Sequence, residues 1–69
     1  MDSNYIINRL KSTPYKYSTV ELLRARLTNL EENKKYDVIS TLRKEVWKEK
    51  NIDIHEPLIE LIYRMPMAS

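Results

Sequence analysis

His55 is the only side chain type in this sequence that ordinarily changes charge near neutral pH, and it occurs once. It stands beside Asp53 and Glu56. An imidazole flanked by carboxylates can move protons in catalysis or share a metal ion. Nothing else in the sequence completes such a site: the 69 residues hold no cysteine and no second histidine. Asp53 and Glu56 therefore read as helix caps, and His55 as a surface or first-turn residue. Ser18 and Thr19 are candidate hydroxyl nucleophiles, but no histidine base accompanies them, and they too read as caps. Glycine is absent altogether, which removes the loops that cradle phosphates with bare backbone. The expectation is a protein without catalytic residues, cofactor, bound metal or small-molecule substrate.

Recognition chemistry is better represented. Tyr36, Ser40, Arg43 and Trp47 recur at i, i+4, i+7 and i+11, so a helix would gather them on one strip. Tyr, Arg and Trp are the residue types that dominate binding hot spots. Arg43 and Trp47, four residues apart, are also within reach of a cation–π contact. The strip lies about a third of a turn from the apolar stripe of the same helix, counted at 100° per residue. Two readings follow: a partner-binding surface, or a flank of the core covered by the first or last helix.

Arg24, Arg26, Lys34, Lys35, Lys44 and Lys48 offer a different chemistry, a footprint on nucleic-acid phosphates. Acidic residues interrupt them: Asp37 and Glu45 alternate with the lysines. Carboxylates there would repel phosphates, whose contacts supply most non-specific affinity. A solvated face of mixed charge is the plainer reading.

Four helices would position these groups. The first spans about residues 3–11, capped by Asp2 or Ser3, with Ile6, Ile7 and Leu10 inward. Pro14 forces a connector at 12–17. Ser18 and Glu21 form a capping box, and the second helix runs over about 19–32 with Val20, Leu23, Leu27 and Leu30 as its seam, widened by Leu22. The third covers about 34–50, with Val38, Ile39, Leu42 and Val46 inward. The fourth covers about 54–65, with Asp53 and Glu56 as cap, Pro57 in its first turn and Leu58, Leu61, Ile62 and Met65 on one stripe. Glu60 and Arg64 are a favourably ordered i,i+4 pair. Pro66 ends this helix, leaving residues 66–69 as a tail.

No breaker separates the second and third helices. Their stripes nevertheless differ in phase by about a third of a turn. One straight helix would leave the two stripes on different faces, so a reversal near Asn33 is expected, with Asn33 as cap. The alternative is one long helix, as in a coiled coil.

Bulk properties set the class. A chain this short buries only roughly 60% of its unfolded surface, and no disulfide can reinforce it. Support must come from close helix packing or from another subunit. Net charge is +2, graded from +3 over residues 1–30 through +1 over 31–50 to −2 over 51–69. No apolar run approaches the roughly 20 residues of a membrane span. Absence of cysteine and of a signal peptide fits a cytoplasmic protein. The abundance of Ile, Asn, Lys and Tyr suits a small phage or mobile-element protein, in which case the host cytoplasm is meant.

Residues 32–46, ENKKYDVISTLRKEV, together with Leu23, Leu27 and Leu30 before them, resemble the UVR motif, named for the excision-repair proteins UvrB and UvrC. That motif reads as a leucine-bearing helix followed by E-N-x-x-Y-E-x-A-A-x-L-R-D-E-I. Glu32, Asn33, Tyr36, Asp37, Leu42, Arg43, Glu45 and Val46 fit it, whereas Ile39 and Ser40 replace its paired alanines. The resemblance covers residues 20–47 and implies an antiparallel helical hairpin that binds a second hairpin or a partner protein.

The expected object is thus a small all-α domain of three to four helices built around a central antiparallel helical hairpin. Its expected work is protein binding, as an adaptor, inhibitor or regulatory subunit, in a homo-oligomer such as a homodimer. A helical DNA- or RNA-binding regulator and a structural assembly subunit are the alternatives.

Overall fold

The computed structural model describes residues 1–64. They form four helices: α1 (Ser3–Ser12), α2 (Lys16–Thr28), α3 (Glu32–Val46) and α4 (Ile52–Tyr63). The fold is all-α. A single helix over residues 16–46 would be about 46 Å long at the α-helical rise. The longest dimension of the molecule is 30 Å, so the chain turns back between α2 and α3.

Thirteen aliphatic side chains from all four helices form one core. Ile6 and Leu10 come from α1, and Val20, Leu23 and Leu27 from α2. Val38, Ile39, Leu42 and Val46 come from α3, and Ile54, Leu58, Leu61 and Ile62 from α4. The seams of α2 and α3 are both buried, but they do not meet face to face. α1 and α4 each pack against all three other helices, whereas α2 and α3 share the least contact of any pair. Helix α4 lies between them, and α1 joins the same core.

Helix ends depart from expectation at several points. Asp2 caps α1, its carboxylate accepting from the Tyr5 amide at 2.9 Å. Helix α2 starts at Lys16, so Ser18 and Glu21 lie inside it instead of forming a capping box. Thr13 organises this entry: its hydroxyl accepts from the Tyr15 amide at 3.1 Å, and its carbonyl from Lys16 Nζ at 2.9 Å. The chain reverses at residues 29–31, before Asn33, which sits in the first turn of α3. The Asn29 amide reaches the carbonyls of Ala25 and Arg26 at 3.3 and 3.2 Å, closing α2 early. Helix α3 stops at Val46, short of Lys50. Asn51, not Asp53 with Glu56, caps α4, its side chain accepting from the Asp53 amide at 3.0 Å.

That earlier start makes Pro57 the sixth residue of α4, beyond the first turn. Proline there gives up a hydrogen bond to the carbonyl four residues back. Its ring is buried and adds to the apolar contact instead. Of the expected seam, Leu30 is partly buried against the core and Leu22 is 64% exposed. Met65, Pro66 and the tail at 66–69 lie outside the described residues. The Glu60–Arg64 pair forms, with Arg64 Nε 3.1 Å from Glu60 Oε2.

Truncating a side chain at the centre of this core should be severe. Leu58→Ala is expected to cost about 2–5 kcal/mol, much of the roughly 3–10 kcal/mol that a domain of this size holds. Leu22→Ala should change stability by no more than about 0.5 kcal/mol. Urea denaturation followed by circular dichroism measures both.

Candidate protein-binding face

Helix α3 presents the expected strip to solvent. Tyr36 is 65% exposed and Trp47 69%, Arg43 is exposed, and Ser40 is partly buried. Trp47 is therefore not a core residue of this domain. Its neighbour on the strip, Arg43, does not stack on it. The Arg43 guanidinium lies 5.6 Å from the ring centre of Tyr63, near the end of α4. Trp47 meets His55, near the start of α4, edge to face at 5.9 Å. These two contacts show that α3 and α4 run antiparallel. With α4 alongside, each side chain reaches across to it instead of along its own helix.

The face thus continues from α3 onto α4 and then to α2. Tyr17, Glu56, Ile59, Glu60, Tyr63 and Arg64 line an open hollow of about 470 Å³ beside α4. A smaller depression of about 200 Å³ lies between Tyr36, Ile39, Ser40, Arg43 and Lys44, with no carboxylate in its lining. Sequence periodicity located the α3 strip but missed Tyr63, His55 and Tyr17. The available signal was on α4, where Ile52, Glu56, Ile59 and Tyr63 form a second stripe outside the buried one.

No family model, curated protein or solved structure matches the chain.

All six aromatic side chains of the protein, five Tyr and one Trp, are exposed, from 41% at Tyr5 to 72% at Tyr15. The thirteen side chains of the core cluster are all Ile, Leu and Val, and no aromatic ring is buried among them. Aromatic rings are the largest apolar groups a chain has to bury, at roughly 150–250 Å² each. Leaving every one outside forgoes burial that a domain this small could use, and that another surface would supply by covering some of them.

The basic residues do not assemble into one footprint. Lys35 is only 7% exposed, because it falls three residues before Val38 and seven before Leu42, on the core stripe. Its Nζ pairs with Glu32 at 3.0 Å. Arg24 is also engaged: it pairs with Glu21, and its second terminal nitrogen donates to the Glu60 carbonyl at 2.9 Å. That carbonyl belongs to the last turn of α4, where carbonyls lack amide donors and a cation is favoured. The buried Nε of Arg24 has no partner, which offsets part of the gain. Arg26 donates to the Tyr5 hydroxyl at 3.1 Å, on the α1–α2 side. Lys34, Lys44 and Lys48 are exposed. Lys34 shares its surroundings with Asp37 and Glu31.

Among the described residues, no three His, Cys, Asp or Glu side chains come together as a metal would require. No described helix is long and apolar enough to cross a membrane.

The Arg24 bridge ties α2 to the end of α4. Arg24→Ala should lower stability by about 1–2 kcal/mol, and Arg26→Ala by no more than about 0.5 kcal/mol. Comparing the two urea midpoints tests whether the bridge contributes.

Proposed function

We propose that this chain is a non-catalytic protein-binding module, an adaptor, inhibitor or regulatory subunit, whose contact face is the outer side of α3 and α4. The observation that carries this reading is Trp47, 69% exposed on a strip with Tyr36 and Arg43. Arg43 is already ordered by stacking on Tyr63, so little side-chain freedom remains to be lost on binding. Trp, Tyr and Arg in this setting are what interface hot spots are made of. The likeness of residues 20–47 to the UVR motif implies the same class of work, but the two helices of that segment pack on α1 and α4 instead of on each other, so the exposed strip and not the likeness carries the reading. A cytoplasmic setting, and a phage or mobile-element source, accompany this reading as they did from composition.

The nucleic-acid alternative fares less well. Of its six cations, Lys35 is buried and Arg24 is committed to Glu21 and α4, while Arg26 and Lys34 stand with Tyr5 and Asp37 elsewhere. A phosphate backbone needs a continuous cationic track.

The test is capture of partners from an extract of the native cells, with wild type and a Trp47→Ala, Arg43→Ala double variant. Both positions are exposed, so stability should change by no more than about 0.5 kcal/mol per site. Captured protein should disappear from the variant. Equal capture by both forms would remove this face from consideration. Binding that the variant keeps, and that falls steeply with added salt on duplex DNA, would favour the nucleic-acid reading.

A further inference from the structure

Helix α4 is apolar on two sides. Its inner side supplies Ile54, Leu58, Leu61 and Ile62 to the core. Its outer ridge carries Ile52 at 78% exposure, Ile59 partly buried and Tyr63 at 52% exposure. These stand at i, i+7 and i+11, with Glu56 at i+4, the spacing by which one helix meets another along a seam. A helix that is apolar nearly all round is normally covered nearly all round. Here α1, α2 and α3 cover only the inner side.

Charge along this ridge points to what covers the rest. The N-terminal half of α4 carries Asp53 and Glu56 and no cation, and Glu56 has no ion pair among the described residues. The C-terminal end carries Glu60 and Arg64, which pair with each other, and Arg43 of α3, stacked there on Tyr63, adds a cation without an ion pair among the described residues. The surface is thus acidic at one end and cationic at the other. Such a surface complements itself when turned end for end. Two α4 helices placed antiparallel bring the Asp53–Glu56 end of each over the Tyr63 end of the other, with Ile59 near the centre.

We infer that the outer ridge of α4 is the contact by which two copies of this chain pair about a two-fold axis. This rests on the reading of the α3–α4 side as a protein-binding face and names its occupant. A two-fold interface uses the same patch on both copies, so Glu56 of each faces Arg43 of the other. It also supplies the extra burial that a domain of this size lacks by itself.

Sedimentation equilibrium across a dilution series tests the pairing through a charge exchange. Wild type should dissociate on dilution. Glu56→Lys and Arg43→Glu should each raise the dissociation constant at least about tenfold, because symmetry repeats each like-charge contact twice. The combined variant should return to within about threefold of wild type, since the exchange restores opposite charges across the axis. Both residues are exposed, and circular dichroism confirms that each variant is folded. Ile52→Lys provides an independent variant, expected to abolish pairing without unfolding the chain, because it removes an exposed apolar contact and sets a like charge over the partner's cationic end. A wild type that stays monomeric throughout overturns the inference. So does a dimer indifferent to these changes, or one that the double exchange fails to restore. In each of those cases loss of capture by the Trp47→Ala, Arg43→Ala variant would still uphold binding to a different protein. Undiminished capture would end that wider reading on its own.

Discussion

None of the four helices is long enough to persist alone. They run to 10, 13, 15 and 12 residues, and isolated helices below roughly 12–15 residues are marginal in water. Each therefore depends on burying its aliphatic stripe against the others. The thirteen Ile, Leu and Val side chains meet in one cluster, so every helix stabilises the other three. Within this arrangement α1 and α4 touch all their neighbours, while α2 and α3 communicate mainly through them. Polar fastening is sparse by comparison. Arg24 joins α2 to the last turn of α4, and Lys11 at the end of α1 lies 3.4 Å from Glu49 beyond α3.

An aliphatic interior has a consequence for the exterior. With the core filled by smaller side chains, the tyrosines and the tryptophan are left to the surface. Two of them find company across helices: Tyr63 under Arg43, and Trp47 against His55. The same antiparallel packing of α3 and α4 that helps close the core therefore assembles the outer face. Fold and recognition surface share one cause, the side-by-side placement of these two helices.

Much of this was legible in the residues. Burial follows a 3.6-residue period, so Val38, Ile39, Leu42 and Val46 of α3 and Leu58, Leu61 and Ile62 of α4 could be read from spacing alone. Ile54 could not, because the expected helix began there. The exclusion of Tyr36, Arg43 and Trp47 from the α3 stripe followed from the same angle. Helix ends were less legible. Ser18, Asn33 and Asp53 are all good caps, but a cap is worth only about 1 kcal/mol, and packing moved the boundaries elsewhere. The N-cap positions of α2, α3 and α4 fall to Tyr15, Glu31 and Asn51, of which only Asn51 caps with its side chain. Leu22 is expected to widen the seam that Leu23 belongs to, yet of two adjacent helical positions only Leu23 faces the core. The charge of Lys35 suggests a surface cation, but its place on the Val38–Leu42 stripe buries it. The approach of Tyr63 and His55 to the strip depends on which helix lies beside α3, a long-range fact that local periodicity does not carry. For the same reason the phase difference between α2 and α3 required a reversal but left open that α4 would occupy the space between them.

Trp47 is the sole tryptophan, so its fluorescence reports directly on whether the aromatic strip lies outside the core. At concentrations too dilute for self-association, the folded chain should emit at the wavelength of a solvated indole and be quenched by iodide almost as readily as a free tryptophan analogue. Unfolding in urea should then shift that emission very little. A blue-shifted emission protected from iodide at the same dilution would place Trp47 in the interior and contradict an aliphatic core with an external recognition face.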